Sequence, residues 1–168
     1  MLKDVKETAA WERSKGEFSI IGIPGIILSI ETFVNLQKDA EKILGIDGAA
    51  VIFYQAGKSA NKRWINYFGK EWGLKDNKFI QALQNHYAEL GFGTFSIEEN
   101  NKNELVVKVE NSFIARGYRN SEVPVCHFLS GYFAGLTEVL EGNSIDAEEI
   151  KCAAKGDDCC EFVIRRVD

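Results

Sequence analysis

The chain has 168 residues, 45% of them hydrophobic, so it is long and apolar enough to bury the core of one domain. Its formal net charge of −5 argues against a nucleic-acid-binding protein, which usually presents a basic face. No apolar run is long enough to cross a bilayer, so we expect a cytoplasmic protein whose four cysteines stay reduced.

The first part of the chain predicts an extension followed by a helix. Residues 1–16 are polar and predict a partly helical lead-in. The apolar residues 18–30 predict one or two strands, with a turn at Ile23-Pro24-Gly25. From position 32 to position 44, apolar residues recur at helical intervals, and Gly45 stands where a helix C-cap is expected.

The middle of the chain predicts two more helices and a hairpin. Helical spacing continues from Asp47 to Trp72, which gives the longest predicted helix. A further helix begins at a cap at Asp76 and ends near Gly91. The period then changes from helix to strand, because residues alternate over positions 94–97 and 105–109 on either side of a short loop.

The last third predicts one more helix and a final hairpin. Residues 111–120 are less regular, whereas Pro124 opens a helix that continues to Leu140. Positions 147–154 and 159–166 predict two strands. Helices and antiparallel hairpins without βαβ alternation indicate an α+β fold, in which an antiparallel sheet is packed on one side by helices.

The final hairpin places cysteines opposite each other. If its turn centres on Gly156, which can adopt a positive φ, Cys152 faces Cys160 across the strand pair. Cys159 then points to the other face, because strand side chains alternate. Two thiolates that face each other in this way can bind one tetrahedral metal ion.

Two more residues can complete such a metal site. Glu149 lies three positions before Cys152, so it contributes only if the strand begins or bulges near Ile150. Cys126 follows Pro124 at the start of a helix, where the helix dipole favours a thiolate. Four protein ligands would leave no open position for catalytic water, which indicates a structural zinc ion. A Cys152–Cys160 disulfide or inert buried thiols also satisfy the spacing.

Two segments of the sequence resemble one family. The run PVCHFLSGYFAG from position 124 and the run EIKCAAKGDDCCEF from position 149 look like the vinyl-4-reductase domain, a family of hydrocarbon-binding proteins. The cysteines and glutamate that hold zinc in its phenol-binding sensor members fall on Cys126, Glu149, Cys152 and Cys160. The resemblance therefore implies zinc at these four residues, in a domain that spans residues 31–168 behind an extension at 1–30.

The same resemblance implies a ligand-binding fold and a function. The fold is similar to that of TRAPP vesicle-tethering subunits, which are dimerising scaffolds, and of haem-NO-binding gas sensors. We expect a sensor or carrier domain for an apolar or aromatic small molecule, and a homodimer. The alternatives are a dimerising scaffold or assembly module, and an accessory factor in tetrapyrrole or lipid metabolism. No haem-specific pattern, phosphate loop or nucleophile-and-base motif is present, so the sequence favours a binding protein over an enzyme.

Several residues of two helices are candidates for contact with the ligand. We expect an apolar pocket beside the zinc site, between the helix from Pro124 and the long helix before it. Each aromatic candidate can equally be plain core, and glycines on both helices allow either close packing or space for a ligand. The predicted ligand-facing residues are Trp64, Phe68, His127, Ser130 and Phe133.

Overall fold

The computed structural model describes residues 5–72, 77–101 and 104–167, without the side chains at positions 6, 61–64, 66–72, 77–78 and 99–101. Its first residues form a short helix and a three-stranded antiparallel sheet. These elements are α1 (Val5–Thr8), β1 (Ala9–Glu12), β2 (Glu17–Ile20) and β3 (Ile23–Gly25), in the sheet order β1-β2-β3.

The structure corrects two predictions for this segment. The lead-in is helical only in α1, and its following residues form β1, whose four residues are too few to establish a period. The turn predicted at residues 23–25 lies instead at Ile21 and Gly22, both of which adopt positive φ. Residues 23–25 pair with β2 as an edge strand, a position in which Pro24 is tolerated.

The long helical segment α2 (Ile30–Trp72) is interrupted where the sequence predicts the end of a helix. Gly45 has φ 76° and ψ 165°, a conformation outside the helical region that glycine adopts without steric cost. The rings of Phe33 and Phe53 lie 5.8 Å apart, although residues this far apart in a straight helix would be separated by ~30 Å. The two halves of α2 therefore fold back on each other as a helical hairpin.

The next elements confirm a predicted helix and hairpin and add a helix that the sequence does not indicate. Helix α3 (Asn77–Glu89) leads to β4 (Thr94–Asn101) and β5 (Glu104–Glu110), while the predicted cap at Asp76 lies outside the described residues. Residues 113–118 then form α4 (Phe113–Tyr118), capped by the Ser112 hydroxyl, which accepts a hydrogen bond from the Ala115 amide. Six residues are too short to show helical periodicity in a sequence.

The remaining elements complete a mixed helix and sheet fold. Helix α5 (His127–Glu141) begins three residues after Pro124 and is followed by β6 (Ile145–Lys151) and β7 (Cys160–Arg166). The strands form an antiparallel sheet in the order β4-β5-β7-β6. Helices α3 and α5 pack on one face of this sheet, against inward side chains such as Val107 and Ile164. The predicted α+β class is confirmed.

Glycines bring α5 and the second half of α2 into close contact. A Cβ added to Gly131 would overlap the carbonyl oxygen of Tyr54, and one added to Gly135 would overlap that of Lys58. Gly57 is equally close to the carbonyl oxygen of Phe128. These glycines therefore serve close helix packing and leave no space for a ligand between them. Of the helices described, none is long and apolar enough to cross a membrane.

Candidate metal centre and ligand cavities

The structure brings together the four residues that the sequence predicts as metal ligands. Each of Cys126, Glu149, Cys152 and Cys160 contributes one sulfur or oxygen atom, and these atoms lie within 4.8 Å of one another. The three cysteines are completely buried, and Glu149 is 7% exposed. Cys159 is only half-buried and does not belong to this cluster.

A bulge in β6 is what turns Glu149 toward the cysteines. Glu149 pairs with Phe162, whereas Lys151 pairs with Glu161, so one extra residue is accommodated between the two pairs. This is the irregularity that the sequence requires for Glu149 to contribute. The predicted strand 147–154 ends at Lys151, however, because residues 153–155 form a 3₁₀ turn, so Cys152 lies just beyond the ladder.

Hydrogen bonds from the backbone and from two further side chains hold the cluster. The amide of Cys126, the N-cap of α5, donates to Glu149 Oε2 at 2.8 Å. The amide of Cys152 donates to Asp157 Oδ2 at 2.8 Å. Ser112 Oγ lies 3.4 Å from Cys126 Sγ, within hydrogen-bond distance.

Sequence reasoning missed the roles of Ser112 and Asp157. Ser112 belongs to a segment whose helix the sequence does not reveal, and it lies fourteen positions before Cys126. Asp157 was recognisable only as part of the Gly-Asp turn. An aspartate in such a turn often accepts hydrogen bonds from nearby backbone amides, and this was the available signal.

The electrostatics of the cluster require a cation if all four groups are to be charged. Burial raises the pKa of Glu149 to about 8. Burial also raises the pKa of Cys126 well above its usual value. Hydrogen bonds from the thiols of Cys126 and Cys160 lower the pKa of Cys152, because they stabilise its thiolate. One negative charge is thus accommodated by the protein itself, and the others need a positive partner.

The donor atoms fit a tetrahedral metal ion. Cys126 Sγ and Cys160 Sγ are 3.7 Å apart, and two sulfurs bound tetrahedrally at ~2.3 Å would be separated by ~3.8 Å. Glu149 Oε1 is buried and has no hydrogen-bond partner among the described residues, as expected for an oxygen that awaits a cation. All four cysteines are free thiols. The cluster is therefore a buried Cys/Glu site that could bind a metal.

A small closed cavity lies between α3, the sheet and α5. Its volume is about 70 Å³, and its wall is almost entirely apolar. Phe133, one of the predicted ligand-facing residues, lines this cavity and packs against Phe95 and Phe162 with ring centroids 5.3 and 5.1 Å away. The lining residues are Ile80, Leu83, Gln84, Tyr87, Phe95, Ile97, Leu105, Val107, Phe133, Leu136, Thr137, Leu140 and Ile164.

An open groove of about 560 Å³ lies beside the metal cluster, between α5 and the second half of α2. His127 and Ser130 line this groove, together with Glu149, whereas Phe133 does not. The predicted ligand-facing residues of α5 therefore divide between two separate spaces. The side chains of Trp64 and Phe68 lie outside those that the structure describes.

Comparison with known proteins identifies the second half of the chain. The family model of the vinyl-4-reductase domain matches residues 105–166, which include all four residues of the metal cluster. The chain carries a vinyl-4-reductase domain. The resemblance to this family inferred from the sequence is thus confirmed.

Two relatives come from Methanocaldococcus jannaschii. Uncharacterized protein MJ1642 is 29% identical over 143 residues, which cover 84% of this chain and 77% of the relative. Uncharacterized protein MJ0745 is 34% identical over 100 residues, which cover 59% of this chain and 54% of the relative. This chain therefore spans between about half and about three quarters of the lengths of these two relatives.

Solved structures share the fold. The phenol-responsive sensory domain of the transcription activator PoxR, solved with phenol, has a TM-score of 0.80 at 20% identity and covers 96% of this chain and 86% of that chain. A vinyl-4-reductase family protein from M. jannaschii has a TM-score of 0.58 at 22% identity, over 86% of this chain and 85% of that chain.

The wider fold relationship expected from the sequence is also confirmed. A trafficking protein particle complex subunit 3 from Naegleria fowleri, covalently bound to palmitic acid, has a TM-score of 0.56 at 14% identity, over 83% of this chain and 95% of that chain. An H-NOX protein from S. oneidensis has a TM-score of 0.56 at 10% identity, over 87% of this chain and 80% of that chain. At these identities the likeness shows the fold alone.

Proposed function

We propose that this chain is a zinc-stabilised sensor or carrier domain that binds an uncharged apolar or aromatic small molecule. The observation that carries the proposal is the closed apolar cavity between α3, the sheet and α5. The fold supports it, because a sensory domain that responds to phenol shares this arrangement over almost the whole chain.

Zinc would be held by Cys126, Glu149, Cys152 and Cys160. These four ligands form a complete tetrahedral set, so the ion would be structural and would not present an open position to a substrate. It would tie the start of α5 to β6 and to the turn between β6 and β7, a junction at which the cluster itself already makes hydrogen bonds. Thiolate ligands require a reducing compartment, which is consistent with the cytoplasmic location expected from the sequence.

The proposed ligand site is the cavity lined by Phe133. An empty apolar cavity of this size costs on the order of 2 kcal/mol of stability, at ~24 cal/mol per Å³, so filling it is favourable. Its volume is below the ~150 Å³ of a cavity that takes benzene. A ring-sized ligand therefore requires α3 to move outward, against the hydrogen bond from Gln84 to the Phe95 carbonyl oxygen.

His127 and Ser130 belong to a different candidate position, the groove beside the metal cluster. That groove also contains the carboxylates of Asp47, Asp146 and Glu148, which an apolar ligand would have to desolvate. The closed cavity has no charged side chain among the described residues of its wall. We therefore propose that the ligand contacts Phe133, with the groove as the competing position.

Two filling variants distinguish these positions. Leu136→Trp places a large ring in the cavity, whereas Val51→Trp places one in the groove, at a position that is already exposed. With benzene or phenol as the probe, we expect the thermal stabilisation by the probe to vanish in Leu136→Trp and to persist in Val51→Trp. Zinc content, measured by native mass spectrometry, should be unchanged in both.

The opposite pattern would move the ligand to the groove and make His127 and Ser130 its contacts. If neither probe stabilised the wild-type protein at any concentration, ligand binding would be refuted and the scaffold function would be favoured. Benzene should bind at least as well as phenol, since the cavity offers little compensation for a buried hydroxyl.

A homodimer is the second part of the proposal, and exposed aliphatic side chains on the helical hairpin favour it. Leu36, Ile43, Ile46 and Ile52 are all exposed on α2, and exposed apolar surface of this kind often marks an interface. Sedimentation of the wild-type chain should show a dimer, and Ile43→Asp should shift it toward monomer. A wild-type monomer at micromolar concentration would refute this assembly.

A further inference from the structure

A third space, separate from the cavity and the groove, lies beneath the N-terminal sheet. This cleft has a volume of about 440 Å³, within the range of ~300–1,000 Å³ that is usual for small-molecule sites. The N-terminal cleft is formed by β2, β3 and the connector to α2 on one side, and by the ends of α2, α3 and α5 and the start of α4 on the other. Its apolar lining residues include Phe18, Ile20, Ile23, Ile26, Ile27, Leu28, Phe33, Leu90, Phe92, Phe113 and Phe128.

The polar side chains that reach this cleft already have hydrogen-bond partners. Its lining includes two polar side chains, Ser29 and Glu89. Ser29 Oγ accepts from the Thr32 amide at 3.1 Å and lies 2.8 Å from the Thr32 hydroxyl. Glu89 Oε2 accepts from the Val5 amide at 2.7 Å. The described lining residues include no lysine or arginine, so they offer no counter-charge to an anion and no donor that needs a ligand acceptor.

The connector between β3 and α2 leaves aliphatic side chains in water at the edge of this cleft. Ile26 is 81% exposed and Ile27 is 76% exposed, and both line the cleft. Covering such side chains gains ~25 cal/mol per Å² of apolar surface. The cleft is concave and its wall comes from several elements, so a small molecule can fill it where a flat protein surface cannot.

Aromatic rings separate this cleft from the closed cavity. Phe92 lines the cleft and Tyr87 lines the cavity, and their rings stack with centroids 5.7 Å apart. Tyr132 closes the partition, with its ring centroid 5.1 Å from that of Tyr87 and 6.0 Å from that of Phe92. A molecule in the cleft therefore does not occupy the proposed ligand cavity.

We propose that the N-terminal cleft is a second binding site, specific for an uncharged apolar molecule larger than the closed cavity can hold. The lining decides the chemical class: its polar groups are satisfied, its described residues include no basic side chain, and the remaining wall is aliphatic and aromatic. The site is independent of the cavity ligand, since it uses different residues on the other side of the partition.

The test uses the full chain and the uncharged fluorescent probe N-phenyl-1-naphthylamine, whose emission rises in apolar surroundings. Ile27→Asp places a carboxylate in the cleft at a position exposed enough to leave the fold intact, and we expect at least a tenfold weaker Kd. Ile43→Asp is the matched control, because Ile43 is 79% exposed and lies outside the cleft. It should bind the probe like the wild type. The sulfonated analogue 8-anilinonaphthalene-1-sulfonate should bind the wild type more weakly.

Other outcomes overturn the proposal. Wild-type binding too weak to detect, or unchanged binding in Ile27→Asp, would show that the cleft is not a site. Loss of the probe in Leu136→Trp with retention in Ile27→Asp would place it in the closed cavity. Loss in both aspartate variants together with a change of sedimentation would identify the cleft as part of a protein interface. Failure of the cavity proposal alone would leave the difference between Ile27→Asp and Ile43→Asp intact.

Discussion

At the scale of single residues, the metal cluster separates two adjacent cysteines by their direction. Cys160 is buried within the cluster, whereas Cys159 is half-buried outside it. We expect Cys160→Ser and Cys152→Ser to lose zinc and several kcal/mol of stability, because the binding energy of a structural zinc is folding energy. Cys159→Ser should retain both. Metal content and thermal unfolding measure the two effects, and zinc loss from Cys159→Ser but not from Cys160→Ser would contradict this ligand set.

Ser112 connects the cap of α4 with the sulfur of Cys126. Ser112→Ala removes the cap, which costs ~1 kcal/mol with or without metal. It also removes a hydrogen bond to a thiolate ligand, and losses of this kind typically weaken metal binding by ~10–100-fold. Zinc competition against a chelator should therefore show weaker binding in Ser112→Ala and near wild-type binding in Ser112→Thr. Equal zinc affinity in all three proteins would leave Ser112 with a capping role only.

The ligand residues could be predicted from the sequence because their types and intervals are visible in one chain. The contribution of Glu149 was conditional, since strict alternation turns it away from Cys152, and only a bulge reverses that direction. Ser112 could not be predicted, because its contact with Cys126 depends on how α4 packs. The division of His127 and Ser130 from Phe133 depends on the rotation of α5, which spacing alone does not determine.

At the scale of elements, long periodic segments were predictable and short ones were not. The break in α2 at Gly45, the hairpin of β4 and β5, and α3 follow from periodicity and glycine. The strands of the N-terminal sheet have three or four residues each, too few to show a period. Pro124 was an inaccurate marker for the start of α5, because the helix begins only at His127, after the N-cap at Cys126.

The contact between α5 and α2 gives a prediction for Gly131. In Gly131→Ala the new methyl group overlaps the Tyr54 backbone, which cannot move without shifting a helix. We expect a loss of about 1–3 kcal/mol or more, despite the better helix propensity of alanine. Gly48→Ala is the control, since its new Cβ meets only the Leu44 side chain at 3.0 Å. It should stay within about 1 kcal/mol of wild type in urea unfolding. Equal stability of the two variants would refute the close crossing.

At the scale of the whole molecule, the sheet order β4-β5-β7-β6 was not predictable from local patterns. Strand β7 pairs with β5 and β6, and the pairing with β5 joins residues more than fifty positions apart. Alternation indicates that a strand exists but does not identify its distant partner. The same limit applies to the N-terminal cleft, whose walls come from both ends of the first hundred residues and from α4 and α5.

The pH dependence of stability is a property of the whole molecule that one buried side chain should dominate. His86 is 3% exposed, and burial lowers its pKa to about 4 from an ordinary value of ~6.5. Between these values the unfolded chain binds a proton that the folded chain does not, so the free energy of unfolding falls as the pH falls. The full loss is roughly 3 kcal/mol, at ~1.4 kcal/mol per pKa unit.

Urea unfolding at several pH values from 7 to 4 measures this loss, with His86→Gln as the variant that lacks the titrating ring. Zinc release adds its own pH dependence, but this is common to both proteins, so the difference between them reports on His86 alone. The wild type should lose stability more steeply than His86→Gln below about pH 6.5. His127→Gln is the comparison, because His127 is only half-buried, and it should follow the wild-type curve more closely. Parallel curves for wild type and His86→Gln would show that His86 is not held neutral in the folded protein.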